Sequence, residues 1–189
     1  MSFTGDVTSP IGRELSASER VLWSGQPKQG LSLRGADALM IPFSLLWGGF
    51  AFYWEWSVIN SNAPLFFTLW GIPFVAAGIY LIVGRFFADA WQRTRTHYAV
   101  TNERVLIVDG SASSTVTSLS LRTLADMTLS EASDGEGSIY FGASNMPAAI
   151  RSFSGWPGMK SRVGPQFDRI PGARGVRDII QRAQRALLK

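Results

Sequence analysis

Two uncharged stretches decide the fold of this chain, ALMIPFSLLWGGFAFYW at 38–54 and APLFFTLWGIPFVAAGIYLIVG at 63–84. An α-helix rises about 1.5 Å per residue, so the second stretch is about 33 Å long and can cross a hydrocarbon core of about 30 Å. The first stretch reaches that length only when its flanking residues are included. We therefore predict a two-helix transmembrane hairpin in a membrane segment at 36–91, with helices at about 36–58 and 63–88.

The composition of the chain supports this prediction. Of its 189 residues 46% are hydrophobic and only 17% are charged, below the about 25% typical of soluble domains. Two buried helices of a soluble protein are the alternative, but the other residues are too few for the large core that such helices need. A cleaved signal peptide is disfavoured, because residues 1–35 are rich in charge and have no apolar run.

Basic residues lie close to the outer ends of the two stretches, whereas the connecting loop at 55–62 has none. Those near the ends are Lys28, Arg34, Arg85, Arg93 and Arg95. Since basic residues favour the cytoplasmic side of a membrane, we expect both termini to be cytoplasmic.

Small residues in the hairpin predict where its helices touch. Gly48 and Gly49 in the first helix, and Gly71 and Gly78 in the second, would let two backbones approach closely, so we predict helix packing at these glycines. Neither stretch has an ionisable residue near its middle, so no residue there is a candidate for ion or proton transport.

The remainder of the chain is predicted to form a cytoplasmic N-terminal arm at 1–35 and a soluble domain at 92–189. Short segments with alternating polarity predict antiparallel strands, and a later amphipathic segment predicts a helix that caps the sheets. The strands are expected at 97–101, 104–108, 115–121, 124–129, 138–142 and 166–170, and the helix at 173–188.

Several motifs resemble those of the bacterial pleckstrin-homology-like (PH-like) membrane proteins. They are ERVLWSGQP at 19–27, HYAVTNERVLIV at 97–108, GSIYFG at 137–142 and FDRI at 167–170. The resemblance implies an all-β PH-like sandwich or barrel of seven strands with a C-terminal amphipathic α-helix. It also implies a protein of the bacterial inner (cytoplasmic) membrane. In eukaryotic PH domains, clustered basic residues between the first two strands bind phosphoinositides, and we assign 101–104, with one arginine, to that loop.

The residues do not predict an enzyme. The chain has no cysteine and one histidine, His97, and it has neither a nucleophile elbow nor a phosphate-binding loop. The acidic residues Glu131, Asp134 and Glu136 surround a glycine turn and are interpreted as a solvated hairpin tip. We therefore predict no catalytic residue, cofactor, metal, nucleic acid or small-molecule substrate.

Two surfaces are candidates for interaction. The segment 145–164 combines apolar and basic side chains, which suits either a membrane interface or a partner protein, although the apolar ones could also pack beneath the sheet. Its candidate residues are Met146, Ile150, Arg151, Phe153, Trp156, Met159, Lys160 and Arg162. The second candidate is Trp23 in the arm, which could either extend the sheet or rest at the lipid boundary.

These features together predict a non-catalytic, membrane-anchored binding or scaffold protein. Its expected partners are the lipid bilayer and another membrane protein or a second copy of the chain, as for a subunit or assembly factor of an inner-membrane complex. The alternative function is a membrane-bound enzyme or a transport accessory subunit.

Overall fold

A computed structural model describes residues 10–31, 33, 35–110, 114–124, 126–131, 135–142 and 164–188. A short 3-10 helix at Gly12–Glu14 precedes the first strand. The further elements are, in chain order, β1 Val21–Gly25, α1 Asp37–Asn60, α2 Leu65–Ile79, a π-helix Tyr80–Gly84, α3 Arg85–Thr94, β2 Thr96–Thr101, β3 Arg104–Asp109, β4 Thr115–Ser120, β5 Met127–Glu131, β6 Glu136–Phe141, β7 Gln166–Pro171 and α4 Ala173–Leu187.

The seven strands form two antiparallel sheets. One sheet has the order β1-β2-β3-β4 and the other β5-β6-β7, and the described residues do not close them into a barrel. Helix α4 buries Val176, Ile180 and Ala183 in the shared core, as its amphipathic pattern predicted. The expected β domain with a C-terminal helix is therefore confirmed as two antiparallel sheets and a packed helix.

Aromatic rings join the two sheets at the centre of the core. Phe167 on β7 stacks on Tyr98 of β2 with ring centroids 4.6 Å apart, and Phe141 of β6 meets Phe167 edge-on at 5.0 Å. The Tyr98 hydroxyl oxygen accepts a hydrogen bond from the backbone N–H of Asp168 at 3.1 Å, so its one polar group is satisfied inside the core.

The N-terminal segment is part of this domain, because β1 pairs with β2 along its length. Trp23 lies opposite Val100 and Gly25 opposite Tyr98, and the Trp23 ring packs 5.6 Å from that of Phe167. Helices α1 to α3 are thus inserted between two neighbouring strands of one sheet. The loop at 101–104 consequently joins the second and third strands, which corrects our assignment of it to the first two.

Two predicted strands are shifted. Strand β5 is Met127–Glu131 rather than 124–129, since the backbone carbonyls of Leu121 and Leu124 accept hydrogen bonds from the side chain of Gln184 instead of joining a ladder. Strand β6 begins at Glu136, two residues before the predicted start.

Helices α1 and α2 pack as an antiparallel pair, joined by the short connection 61–64. Within the described residues, Leu65–Thr94 is the one helix both long and apolar enough to cross a membrane. Helix α1 has 24 residues, but its uncharged stretch at 38–54 is short and is bounded by Asp37 and Glu55. Of the two transmembrane helices predicted, only the second is therefore long and apolar enough to be a candidate span.

Candidate membrane and partner interface

Large apolar side chains cover the outside of both helices. Leu46 and Phe50 on α1 are 76% and 67% exposed, and Leu65, Phe66 and Trp70 on α2 are exposed to a similar degree. Soluble monomers rarely show apolar patches larger than a few hundred Å². Exposed apolar side chains therefore lie on α1 as well as on α2, although α1 is the less apolar helix of the two.

Three of the four predicted glycines lie where the helices touch. A Cβ on Gly78 would stand 3.1 Å from the Cα of Gly48, and one on Gly48 would meet the Ile82 side chain at 2.6 Å. A Cβ on Gly71 would collide with the Glu55 carboxylate. Gly49 differs, because nothing lies within 4 Å of its Cβ position. Gly48, Gly71 and Gly78 therefore lie in the contact between the helices, whereas Gly49 lies outside it.

An aromatic groove of about 210 Å³ runs along one side of the helix pair. Its lining is almost entirely apolar and consists of Trp47, Phe50, Ala51, Trp54, Trp70 and Phe74. Because several of these side chains are also exposed, the groove is part of the continuous apolar surface of the pair.

A buried arginine ties the helices to the β domain. Arg93 on α3 is 1% exposed and donates hydrogen bonds to the carbonyl oxygens of Lys28 and Gly30 at 3.1 and 2.9 Å. It also pairs with Asp89 one turn earlier, at 2.9 Å. The segment that leads from β1 into α1 is therefore clamped to the helix that leads out of the hairpin.

The same leading segment is fixed to the second sheet. The backbone N–H of Lys28 donates to the carbonyl of Arg169, and the Arg169 guanidinium donates to the carbonyl of Leu33 at 3.0 Å. Arg169 has a φ of 45°, which is uncommon for a side chain other than glycine, and its guanidinium also contacts Glu136. Helix α3 and the second sheet thus both hold the connection to the hairpin.

A further ion pair joins the two ends of the hairpin. Asp37 begins α1, and its carboxylate lies 2.8 Å from the guanidinium of Arg85, which begins α3. Both side chains are largely buried. The start of α1 and the start of α3 are therefore side by side.

A buried carboxylate fastens the N-terminal segment to the domain. The Glu19 side chain is fully buried and accepts hydrogen bonds from Thr101 Oγ1 at 2.7 Å, from Arg104 Nε at 2.9 Å and from the backbone N–H of Ser16. Burial alone would raise the pKa of Glu19, but these hydrogen bonds and the Arg104 charge lower it to about 2. Glu19 also raises the pKa of Arg104, so the pair is ionised together.

Because the pKa of Glu19 is lowered by folding, the stability of the domain depends on pH. Since the ordinary pKa of Glu19 is 4.5 and its folded value about 2, its charge stabilises the fold fully above about pH 4.5 and progressively less as the pH falls towards 2. We expect the stability gap between the native chain and Glu19→Gln to be largest near pH 6 and to narrow by about 3 kcal/mol towards pH 2. Pulse proteolysis across this range measures the gap, and a gap independent of pH would contradict the assignment.

The predicted interaction residues fall into two groups. Trp23 lies in β1 and packs against the core through Phe167, which gives it a structural role. The residues predicted in 145–164, from Met146 to Arg162, lie outside the described residues. The neighbouring residues are described: the Phe141 N–H donates to the carbonyl of Pro165 at the end of the sheet remote from Glu136 and Arg169.

The acidic residues near the glycine turn are paired with cations. Glu131 contacts Arg174, and Glu136 contacts Lys28 and Arg169, whereas Asp134 is outside the described part. His97 lies beside the Gln26 amide at 3.3 Å, and burial lowers its pKa. In the parts of the chain that the structure describes, no cluster of side chains suits a metal ion.

The fold and these contacts define a class of protein: a two-sheet β domain with a clamped, apolar helix pair inserted between its first two strands. Comparison with family models, with curated proteins and with solved structures found no match.

The ion pairs of Arg85 and Arg93 were not predicted from the sequence. Both arginines were interpreted only as indicators of membrane orientation, although both are buried in ion pairs. Their four-residue spacing around Asp89 was the available signal, but the predicted helix ended at about 88 whereas the helical stretch continues to Thr94.

Proposed function

We propose that this chain is a non-catalytic, multi-pass protein of a bacterial inner membrane whose PH-like domain binds another membrane protein, as a subunit or assembly factor would. The observation that carries the proposal is the exposed apolar surface on both α1 and α2, inserted between two paired strands. A bilayer supplies the apolar neighbour that this surface requires.

The pairing of β1 with β2 supports two crossings. The strands lie on either side of the helical insertion in sequence and share one sheet, so a single crossing would put them on opposite sides of the membrane. The ion pair between Asp37 and Arg85 likewise favours a return to the starting side. Helix α1 is therefore proposed as the second span, with both termini cytoplasmic.

The clamped connection supports a scaffold role. Arg93 and Arg169 hold the segment leading into the hairpin, so the domain keeps a fixed orientation to the membrane. Strands β6 and β7 lead into the segment 143–163 at the end of the sheet away from that connection, across about 17 Å of strand. We propose that the apolar and basic side chains of 145–164 bind the partner protein.

Labelling of single cysteines tests the topology, because the native chain has none. With an impermeant thiol reagent on intact cells, we expect Ser61→Cys to be labelled and Arg122→Cys to be protected until the membrane is opened. Labelling of Arg122→Cys in intact cells, or protection of Ser61→Cys, would overturn the proposed topology.

Affinity purification in mild detergent tests the binding role. One membrane protein should be recovered in constant ratio, and replacing Phe153 and Trp156 with serine should reduce that recovery, whereas Val116→Ser on the exposed face of β4 should not. Recovery of a stoichiometric cofactor with turnover would favour the enzyme alternative instead.

A further inference from the structure

Helix α3 buries its charged face and exposes its apolar face, which is the opposite of an amphipathic helix in a soluble domain. Its charged residues Arg85, Asp89 and Arg93 recur every four positions and face the protein, with side chains that are 9%, 12% and 1% exposed. Phe87 and Trp91, on the outer side, are 62% and 49% exposed. A helix in water buries its apolar face and exposes its charged one. The surroundings of α3 are therefore less polar than bulk water.

This outer face continues the apolar surface of the preceding span. Tyr80 and Val83 are exposed just before it, and α2, the π-helix and α3 form one helical stretch of 30 residues. At about 1.5 Å per residue the stretch is about 45 Å long, longer than a hydrocarbon core of about 30 Å. Trp91 consequently lies at the level of the lipid headgroups, where tryptophan is favoured.

Arg95 adds a cation at the end of this face. Its guanidinium carbon lies 4.2 Å from the centroid of the Trp91 ring, and its side chain is exposed. No carboxylate pairs with Arg95 in the described ranges, in contrast to Arg85 and Arg93. A guanidinium binds a phosphate group through two parallel hydrogen bonds.

We propose that Phe87, Trp91 and Arg95 form a docking face for an anionic phospholipid of the cytoplasmic leaflet. Phe87 and Trp91 contact the boundary between acyl chains and headgroups, and Arg95 binds the lipid phosphate. The inference rests on the proposed membrane function and names a ligand for it. Continuity with the apolar span and the unpaired positive charge both favour lipid over a partner helix.

Fluorescence quenching measures how deep the docking face lies in the bilayer. The sample is the full chain in nanodiscs, with one copy per disc. A fluorophore on Phe87→Cys should be quenched by a quencher attached to the lipid headgroup region. A label on Leu46→Cys in mid-hairpin should be quenched by a deep acyl-chain quencher. A label on Leu188→Cys, exposed at the far end of the domain, should be quenched by neither.

Lipid selectivity tests the role of Arg95. We expect the native chain to retain phosphatidylglycerol over phosphatidylcholine in purification, as measured by mass spectrometry of the bound lipid. Arg95→Glu should lower this preference by at least about fivefold, because loss of one arginine near an anionic leaflet corresponds to about 1 kcal/mol and the added carboxylate is repelled by the lipid. Arg122→Glu makes the same charge change on an exposed turn and should leave the preference unchanged.

The outcomes separate the two proposals. Failure to quench Leu46→Cys would overturn the membrane function itself. Quenching at position 46 without quenching at position 87 would overturn the docking face and leave the hairpin intact. Quenching at both positions would support the docking face, and the lipid preference then tests Arg95. If Arg95→Glu and Arg122→Glu lower the preference for phosphatidylglycerol equally, or if neither lowers it, the proposed lipid contact of Arg95 is overturned.

Discussion

Replacing Glu19 with alanine is expected to destabilise the β domain by about 3 kcal/mol, the lower end of the usual cost of removing one partner from a buried ion pair, because the Arg104 side chain is 27% exposed. The substitution leaves the Arg104 guanidinium without its carboxylate, and it removes the hydrogen bonds that Glu19 accepts from Thr101 Oγ1 and from the backbone N–H of Ser16. A cost of this size is a large part of the stability of an ordinary domain. Pulse proteolysis of the full chain in mild detergent measures the change.

Glu14 provides the matched control, since it is an exposed glutamate in the same segment. Its backbone carbonyl, rather than its side chain, accepts the hydrogen bond from Arg104 at 2.7 Å, so Glu14→Ala keeps that contact and should change stability by less than about 0.5 kcal/mol. The Glu19→Ala/Arg104→Ala double variant should cost less than the sum of the single variants, because it removes both charges. Additive costs, or equal effects of Glu14→Ala and Glu19→Ala, would show that the ion pair does not fasten the segment.

The strands that could be predicted from the sequence are those whose pattern is local. Alternation in TVTSLS gave β4 to within one residue at its end, and the apolar stripe of Val176, Ile180 and Ala183 gave α4. Strand β1 cannot be predicted from a local pattern, because its partner β2 lies beyond the whole helical insertion. Five residues give too little alternation to distinguish a strand from a segment at the lipid boundary.

The contacts of the interface were harder to predict, because residues of one type have different surroundings. Arg95 is exposed whereas Arg93, two positions earlier, is nearly fully buried, and a rule based on counting charge treats them alike. The adjacent glycines Gly48 and Gly49 pose the same difficulty. Which of them touches α2 depends on the rotation of α1, and a helix that is apolar on every side does not specify its rotation.

Replacing Gly78 with isoleucine is expected to destabilise the helix pair by about 1–3 kcal/mol or more through overpacking. The first added carbon would lie 3.1 Å from the Cα of Gly48, and a backbone atom can withdraw only if the two helices separate. The gain in apolar side chain cannot offset this cost while the helices stay together. Unfolding of the full chain by SDS, followed by tryptophan fluorescence, measures the loss.

Gly49→Ile is the matched control, since it adds the same side chain to the same helix pair at a position with nothing within 4 Å. Its expected effect is within about 0.5 kcal/mol, as for a substitution away from any packed contact. A second comparison is Gly48→Ile, in which the added carbon meets the flexible end of the Ile82 side chain rather than backbone. Its cost should lie between the other two, because a side chain can rotate away whereas a helix backbone cannot. Equal costs at positions 49 and 78 would mean that α1 has a different rotation against α2, and that the aromatic groove and the packing face must be reassigned together.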